Sequence, residues 1–140
     1  MRQALMEAKR AFDKDEVPVG AVIVLNGKII ARAHNQVEQL HDATAHAEML
    51  AITSACAELQ SKFLDKAELY VTLEPCPMCA AAIGLARIAK LHWAADDEKM
   101  GFTRFSEKVL HPKTKVKRGE LAEESAMLLR EYFRTKRAAK

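Results

Sequence analysis

Two cysteines separated by two residues form the most reactive pair in the chain. Cys76 and Cys79 lie in the stretch LEPCPMC, which covers residues 73–79 and has a proline directly before each cysteine. A Cys-x-x-Cys pair occurs in redox couples, in structural zinc sites and in catalytic metal sites. The pair alone leaves these kinds of chemistry open, and the choice depends on which other side chains the fold brings to it.

The two prolines predict how the sulfur atoms are placed. Proline disfavours helical geometry in the residue before it and is well tolerated at the first position of a helix. Pro77 is therefore predicted to begin a helix, with Cys76 as its N-cap and Cys79 on its first turn. Pro75 keeps Glu74 extended as the preceding strand ends. Both sulfurs would then face the free N–H groups of the helix start, whose positive dipole favours thiolate over thiol.

A histidine and a glutamate in the stretch TAHAEML could complete a metal site. His46 and Glu48 are two residues apart. This spacing is roughly 200° around a helix, so the two side chains can converge only at a helix end. Asp42 and Thr44 are the predicted N-cap candidates, and with Thr44 as the cap both side chains fall in the first turn.

These residues together favour a catalytic metal site. His46, Cys76 and Cys79 are ligands of the kinds that zinc takes, and a fourth position open to water is typical of catalytic zinc. A structural zinc needs further protein ligands, usually from a second closely spaced pair of cysteines or histidines. Two thiolates cancel the charge of Zn²⁺, so a nearby base is needed to activate water, and Glu48 fits that role. The third cysteine, Cys56, lies among apolar helical residues and is interpreted as packing.

Length and composition predict one domain over residues 1–140. The chain is 49% hydrophobic and has a formal net charge of +3. Its longest apolar run, Val17–Leu25, is too short to cross a membrane, and the N-terminus does not read as a secretory signal. An odd number of cysteines without such a signal favours a reducing cytoplasm. Basic residues gather at 113–118 and 134–140, where they form either a solvated face or a surface for phosphates.

The periodicity of apolar residues predicts an α/β fold. Helices are expected over residues 1–13, about 45–60, from Pro77 onward and over 119–137, and strands over about 19–25, 28–34, 67–73 and 90–95. The Asn26-Gly27 pair predicts a tight turn between the first two strands. Residues 96–117 are interpreted as a loop. A hairpin followed by strand, helix and strand units indicates a mixed sheet with helices on its faces.

The order H-x-E and then P-C-x-x-C resembles the signature of zinc deaminases of nucleosides and nucleobases. A longer series of stretches is similar to the bacterial tRNA-specific adenosine deaminases over nearly the full length: EVPVGAVIV, HN, HDATAHAE, LYVTLEPCPMCA, ARI, DDEKMG, LHP and LLREYFRTKR. The resemblance implies a three-layer, cytidine-deaminase-like fold with a five-stranded mixed sheet. It also implies a zinc-dependent hydrolase that converts the wobble adenosine of a tRNA anticodon stem-loop to inosine, as a homodimer with one Zn²⁺ per subunit.

The same resemblance implies roles for individual residues. His46, Cys76 and Cys79 match the zinc ligands, and Glu48 matches the group that transfers protons. A further set matches residues that contact the substrate, with Asn35 on the target base and the others on the RNA: Asn35, Asp97, Lys99, Phe133 and Arg134. From the residues alone, Asn35 could instead initiate a turn, and Phe133 could be a core residue of an amphipathic helix.

Two other functions remain open at this stage. The same metal set serves deaminases of free cytosine, guanine or nucleotides, although the basic C-terminal segment favours RNA. A zinc fold or RNA-binding module without activity could also retain the motif. The glutamate and the open coordination position favour an enzyme.

Overall fold

A computed structural model describes residues 1–139 of the chain. The described residues form five α-helices and five strands, with two short 3₁₀ helices between the fourth and fifth strands. Their bounds are α1 Arg2–Asp13, β1 Gly20–Leu25, β2 Lys28–His34, α2 Val37–Leu40, α3 Ala47–Leu59, β3 Glu68–Leu73, α4 Pro77–Leu85, β4 Lys90–Ala95, β5 Lys115–Arg118 and α5 Ala122–Ala138.

The strands form one mixed sheet in the order β2-β1-β3-β4-β5. Strand β1 pairs antiparallel with β2 on one side and with β3 on the other. Strands β3, β4 and β5 run parallel to one another. Helices α1 and α5 pack on one face of the sheet, and α3 and α4 lie on the other. The predicted three-layer α/β architecture with a five-stranded sheet is therefore confirmed. Within residues 1–139, no helix is both long and apolar enough to span a membrane.

The sheet topology brings four chain segments to one edge, which is the side of the sheet where β2, β3 and β4 end and β1 begins. Because β1 is antiparallel to both β2 and β3, the start of β1 lies beside the ends of β2 and β3. The parallel pairing of β3 with β4 extends this edge to the end of β4, where Leu73 is opposite Ala95. Ligands of open α/β sheets bind at the carboxyl ends of strands. The segments after His34, Leu73 and Ala95 are therefore placed together for a site.

The core between the sheet and α3 is built from small and branched apolar side chains. Ala47, Ala51 and Ala55 recur every four residues on one face of α3 and are fully buried against the sheet. Alanine lets a helix approach a sheet closely and has the highest helix propensity. This packing fixes the position of the N-terminus of α3 relative to the strand ends.

The Asn26-Gly27 turn is confirmed, because Leu25 pairs with Lys28 and both turn residues have positive φ. The interpretation of residues 96–117 as one loop is wrong. Two short 3₁₀ helices lie there, at Phe102–Arg104 and Glu107–Val109, and β5 begins at Lys115. All four residues of β5 are exposed, so they show no apolar alternation, and the strand is held by backbone pairing with β4.

Helix starts also differ from the prediction. Neither Asp42 nor Thr44 caps α3, whose N-cap is His46. The Asp42 carboxylate instead accepts hydrogen bonds from the backbone N–H and the hydroxyl of Thr44, both at 2.8 Å, which closes a turn before the helix. The last helix begins at Ala122, after Leu121 in the left-handed region.

Substitution of Gly20 tests how closely α1 packs on the sheet. A Cβ atom there would overlap the backbone of Ala4 and Ala8 in α1, whereas nothing lies within 4 Å of a Cβ at Gly27. We expect Gly20→Ala to lower the free energy of unfolding by about 3 kcal/mol, since the overlapped atoms are backbone. Gly27→Ala is expected to cost about 1 kcal/mol, from its positive φ alone. Urea unfolding of both variants compares them, and equal losses would contradict the close packing of α1.

Candidate metal centre and active site

Three side chains with soft or borderline ligand atoms meet at the sheet edge. The Nδ1 atom of His46 lies 3.6 Å from the sulfur of Cys76 and 3.5 Å from that of Cys79, and all three ligand atoms lie within 4.8 Å of one another. Tetrahedral zinc with Zn–S bonds of about 2.3 Å and Zn–N bonds of about 2.0 Å separates such atoms by about 3.5 Å. The two distances from His46 to the sulfurs therefore fit one zinc ion.

Both ligand-bearing segments open a helix. His46 is the N-cap of α3 and Cys76 is the N-cap of α4, each with extended backbone, and neither side chain caps its own helix. Pro77 occupies the first turn of α4 as predicted, and Cys79 lies on the same turn. Because the cap side chains do not bond to their own helices, they remain available to each other. The positive ends of both helix dipoles favour the anionic sulfurs.

The two thiols have unlike proton affinities in the metal-free protein. Hydrogen bonding from Cys79, followed by that from His46, lowers the pKa of Cys76 to about 4. The pKa of Cys79 is raised, first by its hydrogen bond to Cys76 and then by burial. His46 has a raised pKa because its ring interacts with the Cys76 sulfur. The thiolate form is therefore favoured at Cys76 and disfavoured at Cys79.

Glu48 is the buried acid of this site. Its side chain lies in the first turn of α3 and is 4% exposed. Burial, which disfavours the charged carboxylate, raises the pKa of Glu48 to about 7. A carboxyl group with such a pKa can both accept and release a proton near neutral pH. A bound cation would act in the opposite direction and favour the carboxylate.

The cluster opens into a cavity of about 610 Å³. Its walls include His46, Cys76 and Glu48, together with Asn35 from the end of β2. The Asn35 side-chain oxygen accepts a hydrogen bond of 2.8 Å from the backbone N–H of Ala47, the first residue of α3. That contact leaves the amide NH₂ of Asn35 as a donor in a buried wall of the cavity.

The other residues expected to contact substrate are distributed over two surfaces. Asp97 lines the cavity, while Lys99 is exposed on the same loop and is not part of the cavity wall. Phe133 is 44% exposed, which excludes the core interpretation, and lines a second groove beside the cavity with Tyr132 and Lys136. Arg134 is exposed and paired with Glu131 at 2.5 Å. Lys140, the last residue of the predicted basic tail, lies outside the described residues.

Among the cavity-wall residues that sequence reasoning missed are Glu16, Glu74 and Tyr132. The Glu16 carboxylate accepts hydrogen bonds from the backbone N–H groups of Glu38 and Gln39, at 3.0 and 2.7 Å, and so holds α2. Glu74 holds the loop after β4 in the same way. Both glutamates are at most 3% exposed. The available signal was a carboxylate next to an apolar run that must be buried, in EVPVG and in LYVTLEP.

This fold and this cluster define a class. A mixed five-stranded sheet with a His/Cys/Cys group at one edge, and a buried glutamate beside it, is the architecture of cytidine-deaminase-like deaminases. The family model of MafB19-like deaminases matches residues 1–137. The tRNA-specific adenosine deaminase of Aquifex aeolicus is 52% identical over 96% of this chain and 91% of its own length. The chain belongs to the family of tRNA-specific adenosine deaminases.

Solved structures support the same grouping. A structure from work on A-to-I editing by tRNA:A34 deaminases matches with a TM-score of 0.87, at 47% identity over 92% of this chain and 97% of that one. A guanine deaminase from Bacillus subtilis has a TM-score of 0.65, at 42% identity over 68% of this chain and 61% of that one. The core of the fold thus also occurs in a protein named for a different base.

Proposed function

We propose that the chain catalyses the hydrolytic deamination of adenosine to inosine at the wobble position of tRNA anticodons, with one Zn²⁺ per subunit. The observation that carries the proposal is a buried glutamate beside a His/Cys/Cys cluster at the base of an open cavity, in a member of this family. Residues 1–140 act in this proposal as one zinc-dependent deaminase domain in the cytoplasm.

His46, Cys76 and Cys79 would hold the zinc ion, which when bound supplies the positive charge that makes a water molecule a stronger acid. Glu48 accepts a proton from the attacking water and delivers it to the ring nitrogen beside the amine-bearing carbon. The water oxygen forms a bond to C6 of adenine, and the bond from C6 to the exocyclic nitrogen breaks. The amine takes up the remaining proton and leaves as ammonia, so water and adenosine balance inosine and ammonia.

The target base must leave its stack to reach the base of the cavity. Asn35 would orient it, because its amide NH₂ is free to donate to an acceptor on the base while its oxygen is held by Ala47. Asp97 and Lys99 lie on the loop at the cavity mouth, and Phe133 and Arg134 lie on α5 beside the adjoining groove. We propose that these four residues contact the anticodon stem-loop around the flipped base.

A homodimer is also part of the proposal. Large apolar side chains are exposed around α4 and the loop after β4, including Leu85, Met100 and Phe105 at 79%, 52% and 61%. A second copy of the chain could cover such side chains.

The likeness to a guanine deaminase favours one alternative function, the deamination of a free nucleobase.

Glu48 provides the direct test of the chemistry. We expect Glu48→Gln to lower kcat by about 10³-fold, since the amide cannot transfer the proton, while zinc content and folding are retained. The assay measures inosine formation in an anticodon stem-loop with adenosine at the wobble position. Glu7→Gln is the matched control, because Glu7 is equally buried at 3% exposure but bonds to His34 and Arg10 away from the cavity.

The same assay separates the two candidate functions. Ammonia release is followed with the adenosine stem-loop, a cytidine stem-loop and free adenine, guanine and cytosine. Turnover of the adenosine stem-loop alone supports the proposal. Turnover of a free base with no change in the stem-loop would favour the alternative, and full activity of Glu48→Gln would exclude the mechanism in either case.

The ligand set is tested by the zinc content of two cysteine variants. Cys79→Ser is expected to lose bound zinc, because it replaces one of three ligand atoms by a weaker one. Cys56→Ser should retain about one zinc ion per chain, since Cys56 lies on α3 outside the cluster. Elemental analysis after dialysis measures both. Equal zinc content in the two variants would show that Cys79 is not a ligand.

Two substitutions separate the two proposed roles of Asn35, which are to accept a hydrogen bond from Ala47 and to donate one to the base. Asn35→Asp keeps the oxygen that accepts from Ala47 but removes the amide donor, whereas Asn35→Ala removes both. We expect both variants to raise KM for the stem-loop by about tenfold or more, while only Asn35→Ala loses about 1 kcal/mol of stability. Steady-state kinetics and urea unfolding give the comparison. A normal KM in Asn35→Asp would argue against contact with the base.

A further inference from the structure

Glu74 is a buried carboxylate whose hydrogen bonds all reach a single loop. It follows β3 directly, precedes Cys76 by two residues and is 3% exposed. One carboxylate oxygen accepts from the backbone N–H of Asp97 at 3.1 Å. The other accepts from the backbone N–H of Thr103 at 3.1 Å and from the hydroxyl of Thr103 at 2.7 Å. The two ends of the loop 97–103 are therefore joined through one side chain.

The loop 97–103 is also ordered from within. The Asp97 carboxylate accepts from the backbone N–H groups of Lys99 and Met100, both at 3.0 Å. The backbone N–H of Phe102 donates to the carbonyl oxygen of Pro75 at 2.9 Å. The loop thus behaves as a small rigid unit, which is attached to the two residues that lie between β3 and the first zinc-site cysteine. Asp97 and Met100 are the parts of this unit that line the cavity.

Gly101 is independent support for this close attachment. A Cβ atom at residue 101 would overlap the carboxylate of Glu74. The backbone of Gly101 has φ −61° and ψ 138°, which any residue can adopt. The three atoms nearest to such a Cβ all belong to Glu74, so the loop can approach the carboxylate this closely because residue 101 has no side chain.

We propose that Glu74 is a positioning residue for the RNA substrate: it holds the loop 97–103 at the mouth of the cavity, where the loop receives the nucleotides that flank the flipped adenosine. This role rests on the proposed function. Glu74 does not contact the reacting atoms, because both of its oxygens are bonded to the loop. A buried carboxylate that lost these donors would be strongly disfavoured, so the carboxylate and the loop keep each other in place.

Three variants disturb this contact in different ways. Glu74→Gln keeps the shape but turns one acceptor into an NH₂ group that faces backbone N–H donors. Gly101→Ala leaves Glu74 unchanged and pushes the loop away from it, and Thr103→Val removes only the hydroxyl donor. We expect KM for the stem-loop to rise about tenfold in Glu74→Gln and Gly101→Ala and about threefold in Thr103→Val. In all three, kcat should stay within about threefold of wild type and zinc content should be unchanged, since the ligand set is untouched.

Glu7→Gln is the matched control for a purely structural effect. Its carboxylate is as buried as that of Glu74 but bonds to α1 and β2 side chains, so it should lower stability without raising KM. The double variant Glu74→Gln/Thr103→Val should have the KM of Glu74→Gln alone, because the two changes act on the same contact. If Glu74→Gln does not fold, Gly101→Ala and Thr103→Val carry the test, as both keep the carboxylate.

The outcomes distinguish this role from the proposed function. Wild-type protein that leaves the stem-loop unchanged would overturn the proposed function and this role with it. Active wild type with an unchanged KM in the Glu74, Gly101 and Thr103 variants would overturn the role of Glu74 alone. Loss of zinc and of kcat in Glu74→Gln, with KM unchanged, would also overturn it, because Glu74 would then act on the metal centre.

Discussion

The convergence of two helix N-termini at one edge of the sheet is the constraint on which the rest of the structure depends. His46 and Cys76 each occupy the N-cap position of a helix and each has extended backbone, so their side chains leave the helix axis and point to a shared space. A helix start normally has a side chain that satisfies its own free N–H groups. In this protein the side chains of His46 and Cys76 contact each other instead. The free N–H groups at the two helix starts therefore need other partners.

The two helices solve this problem differently. In α3 the N–H of Ala47 donates to the side chain of Asn35, which comes from the end of β2. In α4 the first helical residue is Pro77, which has no N–H to satisfy. The first solution ties a cavity wall to a helix start, because the group that caps α3 is also the predicted contact for the base. The second reduces the number of free N–H groups by one and fixes the chain direction between the two cysteines.

Each half of the metal cluster could be predicted because its own pattern is local. The spacing of Cys76 and Cys79, the proline before each of them and the polar residues before an apolar helix are all visible within a few positions. That His46 meets the two cysteines across 30 and 33 positions is implied by the family signature and not by spacing. The roles of Glu16 and Glu74, which hold segments around the cavity, could not be predicted in this way. Glu16 bonds to residues 22 and 23 positions later, and Glu74 bonds to residues 23 and 29 positions later. Such contacts follow from the sheet order, which the sequence pattern does not specify.

Two errors in the sequence-based expectations have the same physical origin. The fifth strand has no apolar face, because it lies at the edge of the sheet and is exposed along its length. It was expected only from the family resemblance. Thr44 has the chemistry of an N-cap, but Asp42 engages its N–H and hydroxyl in a preceding turn. In both cases a backbone hydrogen bond decides the structure where side-chain periodicity carries no information.

In the proposed function, the metal cluster by itself does not select a substrate, because the same kind of cluster serves deaminases of different bases. In that proposal, selection comes from the cavity wall and from α5. Three basic side chains of α5 form exposed ion pairs: Arg130 with Glu123, Arg134 with Glu131 and Lys136 with Asp15. Exposed ion pairs of this kind contribute little to stability, so exchanging a carboxylate partner for an RNA phosphate costs little. The surface of α5 can therefore bind a polyanion without loss of the fold. A free base carries no phosphate and would gain nothing from these basic side chains, so in the proposed function the surface of α5 favours RNA over a free base.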